Sequence, residues 1–174
     1  MTKNKHKRVL AIDPGTRKIG VAFLEGDEII YHDVKTIPKE QSPQEVLREG
    51  RKILLRLIND FKPQVLAVEK TYFANDRNGG RLNALVAEIC AVGRRNGLIV
   101  VTYAPNTVRK FICGNGRAGK EEVAKAVAIR YPELKVYLTQ DRKWKATYHW
   151  NRFDAVALGI MVAQSEKLQT HYQK

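Results

Sequence analysis

Apolar and polar positions alternate in blocks along this chain, and the period of the blocks changes from one to the next. Val9 to Ile12 form an unbroken apolar run, closed by Asp13 and followed by Pro-Gly. A second run, KIGVAFLEG (18–26), ends at a Gly-Asp turn, and EIIYHDVKTI (28–37) comes next. Short apolar runs separated by tight-turn residues predict three strands in an antiparallel meander. Ser42-Pro43 then opens a stretch where Leu47, Ile53, Leu54, Leu57, Ile58 and Phe61 recur up to Lys62-Pro63, which is the spacing of a helix with one apolar face. VLAV (65–68) is again unbroken, as suits a strand covered on both faces in a parallel position.

After a polar, glycine-containing loop at 70–80, Leu82, Leu85, Val86, Ile89 and Val92 predict a second helix ending near Asn96-Gly97, and LIVVTY (98–103) a fifth strand. From Pro105 onward the pattern is helical: a short piece at 105–112, a glycine loop, a helix near 119–130, a polar basic loop at 133–148 and a last helix through 166. Three strands in a meander, then helix, strand, helix, strand and helices, predict an α/β fold. It is a five-stranded mixed sheet with helices on both faces, in the order found in ribonuclease-H-like domains. A chain of 174 residues suits a single domain over 1–174. Residues 1–7 are expected to form a flexible basic tail and 168–174 a frayed end.

Charge narrows the partner class. Lys and Arg number 31 against 18 Asp and Glu, a net charge of +13, and such an excess concentrates polyanions and supplies phosphate contacts. Cys90 and Cys113 sit in apolar settings without metal-ligand spacing, so a disulfide framework is not expected. The N-terminal apolar run is too short for a signal peptide and nothing reaches a membrane-spanning length. The expected setting is cytoplasmic, with nucleic acid as partner and no membrane.

The chemistry lies in the acids. The first and fourth strands must be parallel neighbours in this sheet, and their C-terminal ends meet at the switch point where open α/β sheets bind ligands. Both runs end in an acid, Asp13 after VLAI and Glu69 after VLAV, and Asp154 lies at the start of the last helix, on the rim of its buried stripe. Singly, each has an ordinary role: a turn former, a partner for a lysine, a helix N-terminal charge. Together they favour a hard-oxygen site for Mg²⁺ or Mn²⁺. Two such ions about 4 Å apart activate a water and stabilise the leaving oxygen of a phosphodiester.

The ordered set of D-P-G-x-x-x-x-G at Asp13 to Gly20, the strand-ending Glu69 and a late FDAVALGI helix resembles the RuvC family of Holliday-junction resolvases. The resemblance covers nearly the whole chain. It implies a metal-dependent, structure-selective endonuclease that acts as a homodimer on four-way DNA junctions, with Asp13, Glu69 and Asp154 as ligands of about two ions. Tyr72, with Phe73 beside it, falls where the family carries an aromatic that stacks on unpaired bases at the junction centre. GNGRAGKE (114–121) misses a nucleotide-binding P-loop because Glu121 replaces the Ser or Thr. Gly114, Gly116, Ala118 and Lys120 do match the family's G-x-G-x-A-x-K, which places Lys120 near the cut phosphate, with Arg117 as a further DNA contact.

Asn151 departs from the family, which has an acid or a histidine three residues before the last aspartate. Its amide oxygen can ligate a hard cation or a bound water, without the negative charge. His149 and Asp141 are close in sequence but off that position, and His149 reads as a loop or cap residue. Arg142, Lys143 and Lys145, followed by Tyr148 and Trp150, interleave cations with aromatics and are candidate contacts to a duplex arm. A helicase or branch-migration partner, action at the nucleoid, and dimerisation through the 82–95 helix are further implications of the resemblance. Alternatives are a YqgF-type relative acting on flaps or precursor ribosomal RNA, and a junction-binding protein whose catalysis is weakened at Asn151.

Overall fold

The computed structural model describes residues 7–39, 41–70, 77–138 and 143–165, the side chains of 77–78 and 143–147 excepted. Strands β1 (Arg8–Asp13), β2 (Lys18–Glu25) and β3 (Glu28–Thr36) form the meander; α1 (Pro43–Phe61), β4 (Val65–Glu69), α2 (Arg77–Arg95) and β5 (Ile99–Tyr103) follow. Then come α3 (Pro105–Cys113), α4 (Lys120–Arg130), a 3₁₀ helix (Pro132–Tyr137) and α5 (Lys143–Gln164). The sheet order is β3-β2-β1-β4-β5. β1 pairs antiparallel with β2 and parallel with β4, which pairs parallel with β5. This is the expected five-stranded mixed sheet, with helices on both faces.

The unbroken apolar runs divide between two cores. Val9, Ala11, Val65 and Ala67 face the layer of α3, α4 and α5. Leu10, Ile12, Leu66 and Val68 face α1 and α2. Each Val, Leu or Ile buried in this way contributes roughly 1.5–3 kcal/mol. The two sets differ in size: Ala11 stands opposite both Ala22 and Ala67, a row of alanines across three strands. That row lets α5 lie deep on the sheet, where Gly159 comes so close that an added Cβ would stand 2.4 Å from Leu24 Cδ1. The registers that bury the cores therefore also set where β1 and β4 end and how near α5 passes.

Local signals account for the helix starts. Ser42 and Glu45 form a capping box, the Glu45 N–H donating to Ser42 Oγ and the Ser42 N–H to Glu45 Oε2, with Pro43 at the first helical position. The expectation for 133–148 needs correction. Residues 132–137 are a 3₁₀ helix, and α5 starts at Lys143, inside the segment expected to be a loop. Tyr137 of the 3₁₀ helix lies 3.8 Å from the Arg152 guanidinium and 4.9 Å from the His149 ring, so His149 is a helical residue rather than a loop or cap histidine. Cation–aromatic packing of this kind leaves no apolar stripe for periodicity to detect. Asp154 consequently lies about three turns into α5, fully within a run buried from Arg152 to Val162 rather than on a rim near the helix start. Among the described residues no helix is long and apolar enough to cross a membrane. The two terminal tails lie outside the described residues apart from Lys7, which donates to the carbonyls of Val162 and Ser165.

Candidate active site

Asp13 and Glu69 end neighbouring parallel strands, so the register alone carries both carboxyl groups to the same edge of the sheet. Asp13 is 6% exposed and pairs across the ladder with Gly20. A Cβ at Gly20 would stand 1.9 Å from the Asn151 carbonyl oxygen; only glycine lets α5 approach β2 this closely. That approach brings the Asn151 Nδ2 to 2.9 Å from Asp13 Oδ2, to which it donates. One turn further along α5 lies Asp154, also 6% exposed. Its Oδ2 accepts from Lys120 Nζ at 2.8 Å. Lys120 is the first residue of α4, behind Gly119, whose N–H is held by Glu122 Oε2. Gly114, with φ of 73°, closes α3 in the left-handed conformation, so the glycine-rich stretch is a helix-to-helix turn that delivers Lys120, not a phosphate loop after a strand.

The site's electrostatics follow from burial of like charges. Burial, then the charges of Glu69 and Asp154, push the Asp13 carboxyl well above the usual range. Burial and the Asp154 charge raise Glu69 to about 7. Burial alone would lower Lys120, but the three acids around it hold its pKa above the ordinary lysine value. Lys120 is thus a permanent cation there, unsuited to act as a general base at neutral pH.

Asp13, Glu69, Lys120 and Asn151 line a cavity of about 630 Å³, together with Asn106 and Arg109 of α3. Asp154 sits behind Lys120 and does not reach its wall. Asn106 and Arg109 escaped the sequence reading; the signal was the Pro105-Asn106 helix start directly after β5, the next strand across the switch point. The Arg109 charge acts on Glu69. Arg117 is exposed, its N–H tied to Asn115 Oδ1, and it does not line the cavity. Tyr72, Phe73, Asp141 and Arg142 lie outside the described residues, as do the side chains of Lys143 and Lys145.

Among the described residues no three His, Cys, Asp or Glu side chains stand ready as a metal cage; the Lys120 ammonium holds Asp154 and the Asn151 amide donates to Asp13. The donor set nonetheless fits a hard divalent cation: three mutually repelling carboxyls, two of them buried, gather against a single ammonium. A cation relieves that repulsion.

Fold and site together define a ribonuclease-H-like domain with clustered acids and one lysine at the sheet's switch point. The profile of the family described as crossover junction endodeoxyribonuclease RuvC matches residues 9–140, from β1 to beyond the 3₁₀ helix. A RuvC crossover junction endodeoxyribonuclease of Trichlorobacter lovleyi is 31% identical over 168 residues, 92% of this chain and 94% of that one. The one from Afipia carboxidovorans is 31% identical over 131 residues, 72% and 77% of the two chains. The structure of Thermus thermophilus RuvC in complex with Holliday junction substrate superposes with a TM-score of 0.72 at 20% identity, covering 95% of this chain and 98% of that one. The chain belongs to the RuvC family of crossover junction endodeoxyribonucleases.

Proposed function

We propose that this protein is a divalent-metal-dependent endonuclease that resolves four-way DNA junctions by paired, symmetric nicks, working in the cytoplasm at the nucleoid. The observation that carries the reading is the convergence of Asp13, Glu69 and Asp154 with Lys120 at the switch point of a chain in this family. Asp13, Glu69 and Asp154 are the residues that would hold Mg²⁺ or Mn²⁺, two ions per site. Asn151, whose amide now donates to Asp13, offers its oxygen when turned over. Bound there, the metal supplies an activated water and neutralises charge on the phosphodiester. Lys120 exchanges Asp154 for a phosphate oxygen and stabilises the negative charge that grows during the displacement. Arg109 holds the same strand from the α3 side. Tyr72 or Phe73 supplies the stacking surface, and Arg117, Arg142, Lys143 and Lys145 supply contacts to the duplex arms. A homodimer accounts for two symmetric cuts, and a branch-migration helicase is the natural source of the junction.

The test is cleavage of an immobile four-way junction against matched duplex in Mg²⁺, Mn²⁺ or EDTA, with Asp13→Asn in parallel. Paired nicks across the junction, absent in EDTA and in the variant, are expected. Metal-dependent cutting that survives Asp13→Asn removes Asp13 from the site. Preferential cutting of flaps or RNA moves the substrate to other branched nucleic acids. One observation favours a second reading: Asn151 donates to Asp13 where a further acid is expected, which lowers the charge available to a cation. Tight junction binding without nicks, with cutting restored by Asn151→Asp, would identify a junction-binding protein of weakened catalysis.

A further inference from the structure

Lys18 and Tyr148 meet at the rim of the sheet on the side of Asp13 away from Glu69. Lys18 opens β2 and pairs with Thr36, the last residue of β3. Because Asp13 pairs with Gly20, Lys18 lies two residues further out along β2, about 6.6 Å beyond the carboxylate's partner. Tyr148 precedes Asn151 by three residues on α5, so it shares a face with Asn151 and stands about 4.5 Å nearer the helix start. The two elements converge there: Lys18 Nζ lies 4.3 Å from the centre of the Tyr148 ring, and the Tyr148 hydroxyl is 3.4 Å from Thr36 Oγ1.

Lys18 is held by an aromatic ring and not by a counter-ion. Lys35, Lys120 and Lys125 each hold a carboxylate, whereas among the described residues no carboxylate pairs with Lys18. The aromatic seat fixes the ammonium without neutralising it. A long side chain ordered in advance gives up less rotamer freedom when it meets a phosphate.

We propose that Lys18, seated on Tyr148, binds a backbone phosphate of the cleaved strand flanking the scissile bond, on the β3 side of the site. The strand then runs across the sheet end, from Arg109 and Lys120 past Asp13 to Lys18; the last leg, one strand over from Asp13 and two residues further out, is roughly 8 Å, or about two nucleotides at 3.4 Å of helix axis each. The proposal rests on the nuclease reading above and adds to it the direction of the bound strand. Neither Lys18 nor Tyr148 touches the reacting atoms; Lys18 is a positioning residue.

The experiment measures binding of the full chain to an immobile four-way junction in EDTA across a salt series, with cleavage in Mg²⁺ read separately. For Lys18→Ala the slope of log K against log salt concentration is expected to fall by about 0.9, the loss of one phosphate contact. KM should rise and kcat stay unchanged at saturating DNA. Lys18→Arg should restore the slope, Tyr148→Phe should keep it, and Tyr148→Ala should lower it as Lys18→Ala does. Methylphosphonates placed singly along the cleaved strand locate the contact: one neutral position near the cut weakens the unsubstituted protein but not Lys18→Ala. An unchanged slope, or equal sensitivity of both proteins at every position, overturns the assignment of Lys18 and leaves the nuclease reading intact. If the unsubstituted protein binds neither junction nor duplex, both fall together.

Discussion

Lys120 is the residue whose surroundings say most about the chemistry. Its ammonium is bound to Asp154, which is buried, yet its own side chain remains 40% exposed, so it can swing from the acid to a ligand in the cavity. The acids around it keep it charged, which on the proposed nuclease reading suits it to charge stabilisation rather than proton abstraction. Replacing it by Gln should therefore lower kcat by roughly 10²–10³, the usual cost of removing one preorganised stabiliser of developing charge. Lys120→Arg, which retains the charge, should recover part of the loss. Lys120→Arg should leave the pH profile between 6 and 9 in place, whereas Lys120→Gln, which removes a charge that holds Glu69 and Asp13 down, should shift its acid limb to higher pH without abolishing it. A profile that loses its acid limb in Lys120→Gln would reassign the residue as a base. Asp13 and Glu69 were visible in the sequence because each closes an apolar run that only a buried strand explains. Arg109 was not, since its place beside Glu69 depends on the order of the strands and not on any local pattern.

At the scale of elements, the site exists because α5 lies unusually near the sheet. Gly20 makes the nearest approach, and an added Cβ there would meet a backbone atom, the Asn151 carbonyl oxygen at 1.9 Å. Gly20→Ala should push α5 away, break the Asn151–Asp13 bond and cost about 1–3 kcal/mol, with cleavage falling further than stability explains. Gly159→Ala is the control on the same helix, because its Cβ would meet a side-chain methyl, Leu24 Cδ1 at 2.4 Å, rather than backbone. Thermal unfolding of the two variants should rank Gly20→Ala as the more damaging, and the reverse order would remove the close-approach account. The strands, α1 and α2 were legible because their apolar positions repeat with one clear period. The start of α5 was not. Its cation–aromatic contacts, Arg152 on Tyr137 and Lys18 on Tyr148, bury polar residues that periodicity counts as solvent-facing. Asp154 was consequently placed at a helix start when it lies buried in the middle.

At the scale of the whole molecule, the buried acids are a source of instability, which on the proposed reading a cation relieves. Glu69 has its pKa raised from 4.5 to about 7 by burial and by Asp154. A raised acid adds stability that is complete below its unfolded value and is lost as pH rises through the folded one; the loss from Glu69 therefore falls between about pH 4.5 and 7, and Asp13 shifts in the same sense. His32 and His149, lowered chiefly by burial, act oppositely, with stability lost as pH falls below the ordinary histidine range, so the net curve mixes the two. Comparison with Glu69→Gln isolates the acid. In EDTA the variant should become more stable than the unsubstituted protein as pH rises from 5 to 8, by on the order of 1–3 kcal/mol, or several degrees in Tm for a chain of this length. Mg²⁺ should then raise the Tm of the unsubstituted protein at pH 8 and leave Glu69→Gln nearly unmoved, since a ligand stabilises only the state that binds it. A variant that is less stable than the parent at pH 8 in EDTA would mean that Glu69 serves the fold rather than a cation.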